Sequence, residues 1–129
     1  MSQIKIYGLK DSLESYQTKL SDAIHRAVVD ALAYPVDKKF HRFIGLEQSE
    51  FIFPADRSSK YTIIEISMFE GRSVEAKKLL IKLLFQYIEQ AAGIVPQDVE
   101  ITIFETPKYN WGIRGQCGDE LSLGYKVAV

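Results

Sequence analysis

The 129-residue sequence predicts an α+β fold, with duplicated β-α-β units forming a four-stranded core sheet and two helices on one face. Three observations lead to this prediction: short segments that alternate apolar and polar residues, two longer segments with apolar residues at helical spacing, and a match between the two halves of the chain. We expect a single domain over residues 1–129. Its repeats lie at about 3–46 and 61–104, and a C-terminal turn and strand follow at 105–129.

The first repeat begins with a half-buried strand at residues 3–7, in which Ile4 and Ile6 share one face. Ser12 is the predicted N-cap of a helix whose apolar stripe continues to about Leu32, and Pro35 ends that helix. Residues 40–46 are predicted to be extended. The order of these signals is strand, long helix, strand.

The second repeat has the same order of elements. A strand is predicted at 61–68, and the alternation places Thr62, Ile64, Ile66 and Met68 on one face. Ser73 is the predicted cap of a second helix, which ends at Gly93, and a strand follows at 99–104. Glycines at 112, 115 and 118 predict tight turns before a last strand at roughly 123–128. Their spacing does not form a nucleotide-binding loop.

The two halves match in the residues that begin and end the helices as well as in the order of strands and helices. A capping serine, a helix-ending proline and a following aspartate recur at an offset of 61 residues: Ser12 with Ser73, Pro35 with Pro96 and Asp37 with Asp98. Ile4 and Ile6 match Ile64 and Ile66 at an offset of 60. Duplication of one unit is the simplest explanation.

The face of the predicted sheet that turns away from the helices has a mixed composition. It carries Lys5, Tyr7, Ile63, Glu65, Glu100, Thr102 and Phe104. This set is too apolar to be left in water and too charged for an ordinary core. We therefore expect a homo-oligomer in which a second copy covers this face.

Composition excludes several classes of function. With 16 basic and 17 acidic side chains the net charge is −1, which argues against a nucleic-acid partner bound through its phosphates. The single cysteine, Cys117, excludes a disulfide scaffold, and together with His25 and His41 it lacks the spacing of a metal site. We expect no metal and no cofactor. No segment has the length of a membrane span or the form of a targeting signal, so we expect no membrane partner and a cytoplasmic protein.

Three segments, together with the duplicated plan, resemble the tautomerase superfamily. They are YTIIEISMFEGRS at 61–73, GIVPQDV at 93–99 and NWGIRG at 110–115. The resemblance covers nearly the whole chain and is greatest to the long-chain branch that includes malonate semialdehyde decarboxylase. It implies a homotrimer whose sheets surround a central barrel. It also implies a tautomerase, an isomerase that acts on keto and enol forms of a small 2-oxo acid, so that the partner is a small-molecule carboxylate.

The sequence departs from this family at the catalytic base. The resemblance implies an N-terminal proline exposed by removal of the initiator methionine, whereas this chain has Ser2 at that place. Serine is small enough for Met1 to be removed. The free α-amino group would then start from a pKa of roughly 7.7–8.0, which nearby arginines would lower. Two alternatives stay open: the primary amine replaces proline as the base or forms an imine, or the chain is a catalytically altered or inactive small-anion binding relative.

Two further catalytic candidates follow from the resemblance. Arg72, just after the second-repeat strand, would clamp the substrate carboxylate with its planar guanidinium; the alternative is an exposed arginine in a turn. Asp37 lies where the decarboxylase resemblance implies a water-activating aspartate, which would indicate a hydratase or decarboxylase. The alternative is a turn aspartate like Asp98.

The remaining candidates would line the pocket. Arg42 and His41 lie on the extended segment, where alternation requires them to face opposite ways, and His41 is either an acid/base group or a hydrogen-bonded side chain. Arg57 would supply a second cation at the pocket rim and Tyr61 a hydroxyl donor, unless Arg57 pairs with Asp56.

The last segment of the resemblance contributes two more candidates. Trp111 would form an apolar wall of the pocket, and Arg114 would contact an anion. The alternative is an anchor at a subunit interface, where both residue types are enriched.

Overall fold

The computed structural model describes residues 2–121 and 126–129. Its helices and strands are β1 (Ser2–Leu9), α1 (Lys10–Leu32), β2 (His41–Leu46), β3 (Thr62–Phe69), α2 (Val74–Ala92), β4 (Val99–Thr106), β5 (Gly112–Ile113) and β6 (Gln116–Cys117). Single 3₁₀ turns lie at 48–50, 96–98, 108–110 and 118–120. Neither α1 nor α2 is long and apolar enough to cross a membrane, and no other helix among the described residues is.

The four long strands form one mixed sheet in the order β2-β1-β3-β4. Each repeat contributes a parallel pair, β1 with β2 and β3 with β4, and the repeats join where β1 and β3 pair antiparallel. In that central pair Ile4 lies opposite Ile66 and Ile6 opposite Ile64, with Lys5 opposite Glu65 between them. Residues at an offset of 60 therefore surround a local two-fold axis. This arrangement confirms the predicted duplicated β-α-β fold.

The core lies between the sheet and the two helices. The alternation of β3 buries Thr62, Ile64, Ile66 and Met68, as the sequence predicts. Ile4 and Ile6 of β1 complete this layer, and it packs against the apolar stripes of the helices, represented by Leu20, Ile24, Leu80, Leu84 and Ile88. Because both helices cover the same face, the opposite face of the sheet is open.

The open face has the predicted mixture of residues. Glu100, Thr102 and Phe104 of β4 are exposed, and Phe104 keeps 50% of its surface in solvent. Lys5 faces Glu65 at a distance of 4.0 Å between Nζ and Oε1. The exposed ring of Phe104 and the Lys5–Glu65 ion pair thus lie on the same face of the sheet. An exposed apolar surface of this kind is typical of a face that another copy of the chain covers.

One predicted helix cap is correct and the other is wrong. The Ser73 hydroxyl accepts a hydrogen bond from the backbone nitrogen of Ala76 at 3.1 Å, and Gly93 ends α2 with φ 69°. Ser12, by contrast, lies inside α1, which begins two residues earlier without a side-chain cap. The Ser12 hydroxyl donates instead to the carbonyl of Ser59. A tertiary contact thus takes the group that would have capped the helix.

The C-terminal part differs from the sequence prediction. The predicted strand at 123–128 falls partly on residues 122–125, outside the described residues, and residues 126–129 are not in a strand. The structure has instead a short hairpin of β5 and β6, closed by Arg114 (φ 50°) and Gly115 (φ 85°). A two-residue turn with both φ angles positive matches the twist of a hairpin, and this is the tight turn that the glycines predict.

Candidate active site

Four strand ends meet at one edge of the sheet, which we call the Ser2 edge. It is formed by the first residues of β1 and β2 and the last residues of β3 and β4, because Ser2 pairs with Met68, Ile4 with His41, and Phe69 with Thr106. The connection from β3 to α2, which carries Arg72, starts here. So does the connection from α1 to β2, because α1 runs back along β1.

The Ser2 nitrogen is buried at this edge and bonded to a tyrosine. Ser2 is 4% exposed, and its backbone N–H donates to the hydroxyl of Tyr34 at 3.1 Å. Tyr34 is 3% exposed and follows α1 directly, after Ala33 has ended the helix in the left-handed conformation. Sequence reasoning missed Tyr34. The signal available in the sequence was an aromatic residue between the end of the predicted helix and Pro35. The sequence analysis used Pro35 as the end of the helix and assigned no role to the tyrosine before it.

Arg72 is buried rather than exposed in a turn. Only 5% of its surface is accessible, and its Nη1 donates to the carbonyl of Phe69 at 3.3 Å. A guanidinium remains charged when it is buried and presents a planar set of donors. The β3–α2 connection therefore places a fixed positive charge at the same edge as the Ser2 nitrogen.

The C-terminal segment packs onto this connection. Trp111 contacts Phe69 edge to face with ring centroids 5.2 Å apart, and Val127 joins the same apolar cluster. The Ser73 nitrogen donates to the carbonyl of Val129 at 3.0 Å. Beside this contact is an open cavity of about 380 Å³, with Glu70, Gly71, Lys108, Leu121, Lys126, Val127 and Ala128 in its walls. Lys108 and Lys126 are cations that sequence reasoning did not single out.

Trp111 and Arg114 differ in their surroundings. Trp111 is half-buried against Phe69, a position that suits either an apolar wall or an interface anchor. Arg114 is exposed at the tip of the β5–β6 hairpin. A non-glycine residue with positive φ is uncommon, and here the turn requires it.

Asp37 lies in the connection from α1 to β2 at the Ser2 edge, and it is exposed. Its repeat partner Asp98 is 5% exposed and accepts hydrogen bonds from both the backbone nitrogen and the hydroxyl of Ser58. The two aspartates occupy the same kind of turn in the sequence but not the same environment. Asp37 is in solvent, whereas Asp98 is buried and bonded to Ser58.

Arg42 and His41 face opposite sides of β2, as alternation requires. Arg42 is exposed, and its Nη2 donates to the Gln3 side chain at 3.2 Å. His41 turns toward α1, where its Nδ1 lies 2.8 Å from the hydroxyl of Ser21. Burial, and then the charges of Lys39 and His25, lower the pKa of His41 to about 4. A histidine with that pKa is neutral at physiological pH and is a hydrogen-bonded side chain, not an acid poised near neutrality.

Arg57 and Tyr61 lie at the opposite edge of the sheet. Tyr61 precedes the first residue of β3, and Ser2 pairs near the other end of that strand, a separation of roughly 20 Å at the usual rise per residue. Arg57 pairs with Asp56 and lies over the Tyr61 ring at 5.6 Å, and the Tyr61 hydroxyl donates to Glu100 at 3.0 Å. At that separation Arg57 and Tyr61 are too far from Ser2 to line one small-molecule pocket with it within a single chain.

One group of possible metal ligands occurs within residues 2–121 and 126–129. Cys117, Asp119 and Glu120 are exposed, and their ligand atoms lie within 4.8 Å of one another. Sequence reasoning tested Cys117 against the histidines and so did not consider this group. Exposed acidic groups are common in proteins without a metal, and these three residues are not in the wall of the cavity described above.

Comparison with known sequences identifies related proteins. Residues 38–114 match a family described as "Tautomerase enzyme". The chain is 24% identical to the probable tautomerase YusQ of Bacillus subtilis (strain 168) over 116 residues, which cover 86% of this chain and 91% of that protein. It is 40% identical to the 2-hydroxymuconate tautomerase of Comamonas testosteroni over 57 residues, 44% of this chain and 90% of that protein. That relative thus has the size of a single repeat.

Solved structures show the same fold. A malonate semialdehyde decarboxylase has a TM-score of 0.79 at 25% identity, covering 88% of this chain and 92% of that chain. A fused 4-OT described as a symmetric trimer has a TM-score of 0.78 at 20% identity, covering 91% of this chain and 96% of that chain. The family match spans the segments at 61–73 and 93–99 and ends within the segment at 110–115, and the solved structures share the duplicated β-α-β architecture. The chain belongs to the tautomerase superfamily.

Proposed function

We propose that the protein is a tautomerase-type isomerase that interconverts keto and enol forms of a small 2-oxo acid, with the Ser2 amine as the base. The observation that carries the proposal is the burial of the Ser2 nitrogen at the sheet edge that also holds the buried Arg72 guanidinium. The nitrogen becomes an amine once Met1 is removed. A base and a fixed cation at one edge are the two elements that this isomerisation needs.

The proposed reaction uses the amine twice. In its neutral form the Ser2 amine accepts the proton of the enol hydroxyl, and the resulting ammonium returns a proton to the substrate carbon. A normal α-amino group has a pKa of roughly 7.7–8.0, and burial together with a nearby cation favours the neutral form. The amine can then act as a base near pH 7.

Arg72 would bind the substrate carboxylate, since its planar guanidinium suits two parallel hydrogen bonds. Lys108 and Lys126, in the wall of the adjacent cavity, would attract the anion toward the site, and Trp111 would exclude water from one side. Arg42 and Arg114, both exposed, are accessible to a substrate or to a second subunit. Arg57 and Tyr61 belong to the site only if another subunit brings their edge of the sheet to it.

We further propose a homotrimer. The open face with Phe104 and the Lys5–Glu65 pair would line its centre, and fused 4-OT chains of this fold are described as trimers. Light scattering on the purified protein should give the mass of three chains. Phe104→Asp, which places an unpaired carboxylate on the open face, should give smaller species. Val74→Asp, at the exposed start of α2, should remain trimeric.

The activity test is the ketonisation of phenylenolpyruvate or 2-hydroxymuconate, followed against buffer alone. We expect Arg72→Ala to lower kcat/KM about 10- to 100-fold, the value of a hydrogen bond to a charged group. Arg72→Lys keeps the charge without the planar donor set and should restore only part of the activity. Arg26→Ala is the matched control, because Arg26 is exposed on α1 and lies over the Tyr87 ring.

Two results would overturn the assignment. If Arg72→Lys and Arg72→Ala both retain full kcat/KM, Arg72 does not bind the substrate. If the parent protein is inactive and Ser2→Pro creates ketonisation, the chain is a small-anion binding relative that has lost the base. Intact mass, measured on the same sample, reports whether Met1 has been removed.

A second candidate function is hydration or decarboxylation of a 3-carbon oxo acid. The likeness to the malonate semialdehyde decarboxylase and the exposure of Asp37 at the Ser2 edge favour it. In that case Asp37 activates a water molecule. Product formation from malonate semialdehyde that is abolished in Asp37→Asn would support this function. Ketonisation of phenylenolpyruvate by the same variant, if the parent has that activity, would show that the rest of the site is intact.

A further inference from the structure

The primary amine of Ser2 differs from a proline amine in its freedom to rotate. In proline the ring fixes the direction of the nitrogen lone pair, whereas in serine the terminal nitrogen turns about its bond to the α-carbon. A base whose lone pair points in several directions loses part of the advantage of a preorganised site. If Ser2 is the base, another group must limit that rotation.

Tyr34 is in contact with this nitrogen. Its hydroxyl lies 3.1 Å from the Ser2 nitrogen, although 32 residues separate the two in the sequence. Both residues are almost completely buried, at 3% and 4% exposure. Water therefore has little access to this bond, which strengthens it relative to a bond at the surface.

The segment that carries Tyr34 is fixed at both ends. At the helix end the Tyr34 nitrogen donates to the carbonyl of Val29 at 3.4 Å, after the left-handed Ala33. At the strand end the Ile4 nitrogen donates to the carbonyl of Phe40 at 3.0 Å. A tyrosine side chain has only two rotatable bonds before its hydroxyl, so its oxygen is held at a defined point beside Ser2.

We propose that Tyr34 is the positioning residue that orients the Ser2 amine, so that a hydrogen bond replaces the rigidity of the proline ring. This inference rests on the proposed function. The neutral amine has two N–H groups and one lone pair. One N–H donates to the Tyr34 oxygen, and the lone pair is then directed away from Tyr34. When the amine has taken a proton from the substrate, the ammonium keeps the bond to Tyr34, and Tyr34 itself transfers no proton.

The test compares Tyr34→Phe in two backgrounds. In the parent chain the substitution should lower kcat about 10-fold, with little change in KM, since one hydrogen bond is lost. In the Ser2→Pro variant the ring fixes the nitrogen, so the same substitution should change kcat less than about 2-fold. Tyr87→Phe is the matched control, because it removes a hydroxyl that donates to Asp30 at 2.7 Å on the helix surface.

A second readout does not depend on isomerase activity. Pyruvate and cyanoborohydride alkylate a neutral amine through an imine, which forms with loss of water and is reduced by hydride. Mass spectrometry of the tryptic peptide Ser2–Lys5 measures this labelling. Because the ammonium donates more strongly than the amine to Tyr34, Tyr34→Phe should move the pH midpoint of labelling down, and Tyr87→Phe should not.

The outcomes separate this inference from the proposed function. If the parent protein shows no ketonisation, the proposed function is contradicted. If Tyr34→Phe nevertheless lowers the pH midpoint of labelling, the role of Tyr34 in orienting the amine is supported. An equal loss of kcat in both backgrounds, with an unchanged labelling midpoint, shows a purely structural tyrosine and overturns the inference. Retention of Met1 in the intact mass also overturns it, because no amine is then present.

Discussion

Lys5 and Glu65 occupy equivalent positions in the two repeats and face each other across β1 and β3, with Nζ 4.0 Å from Oε1. The local two-fold axis passes between them. If the two repeats were identical in sequence, two lysines or two glutamates would meet at this point. The duplicated chain has opposite charges there. Glu65 also interacts with Tyr7, whose pKa it raises through a side-chain hydrogen bond and through its negative charge.

This pairing predicts the result of a charge swap. Lys5→Glu and Glu65→Lys should each lower the free energy of unfolding by roughly 0.5–1 kcal/mol, because like charges then face each other on adjacent strands. The double variant should recover most of this loss. Denaturant unfolding at one protein concentration measures all four proteins. If the double variant loses as much free energy of unfolding as the two single variants together, Lys5 and Glu65 do not interact directly.

The different environments of Asp98 and Asp37 predict different effects on stability. Asp98 is buried and its carboxylate accepts hydrogen bonds from the nitrogen and the hydroxyl of Ser58, so Asp98→Ala removes two hydrogen bonds to a charged group and should cost about 1–3 kcal/mol. Asp37→Ala removes an exposed side chain and should change stability by less than about 0.5 kcal/mol. Thermal unfolding of the pair is the measurement, and equal losses would show that Asp37 has a structural role as well.

Gly118 should be essential for the packing of Trp111. A β-carbon at this position would lie 2.5 Å from the carbonyl oxygen of Lys108 and 3.1 Å from the Phe69 ring. Gly118→Ala must therefore move the segment that carries Trp111 away from Phe69, at a cost of roughly 1–3 kcal/mol. Gly112→Ala, where a β-carbon meets nothing within 4 Å, is the control.

The readout for Gly118 is the fluorescence of the single tryptophan. Emission should shift to longer wavelength in Gly118→Ala, since Trp111 then contacts more water, and it should stay unchanged in Gly112→Ala. Because Trp111 lies beside the cavity at the Ser2 edge, kcat/KM should fall together with the shift. An unshifted spectrum in Gly118→Ala would contradict the packing described above.

His41 should make stability depend on pH in the acidic range. Its pKa is lowered to about 4 in the folded protein, against an ordinary value of 6.5, so the unfolded chain binds its proton first as the pH falls. The free energy of unfolding should therefore be unaffected by His41 above pH 6.5 and should decrease from there to about pH 4. His41→Gln should remove this part of the pH dependence. A His41 that titrates near 6.5 in an NMR experiment would contradict it.

The elements of the fold were predictable because they depend on neighbours in the sequence. Alternation at 61–68 and the cap at Ser73 are local properties, and both were predicted correctly. The predicted cap at Ser12 was wrong, because the Ser12 hydroxyl binds the carbonyl of Ser59, 47 residues away. Local preferences such as helix capping compete with tertiary contacts, and a sequence pattern shows only the local preferences.

The candidate site depended on a fact that no local pattern contains, the antiparallel pairing of the two repeats. That pairing places the start of β1 beside the end of β3, so Ser2 and Arg72 share an edge while Arg57 and Tyr61 lie at the other. The sequence by itself determined the repeat, the two helices, the four strands of the main sheet and the mixed face of that sheet. Only the tertiary structure decided which side chains meet, and it placed Tyr34 beside Ser2. The reason is that long-range contacts depend on the direction of the strands and on the helix that runs back along β1, and not on the spacing of residues along the chain.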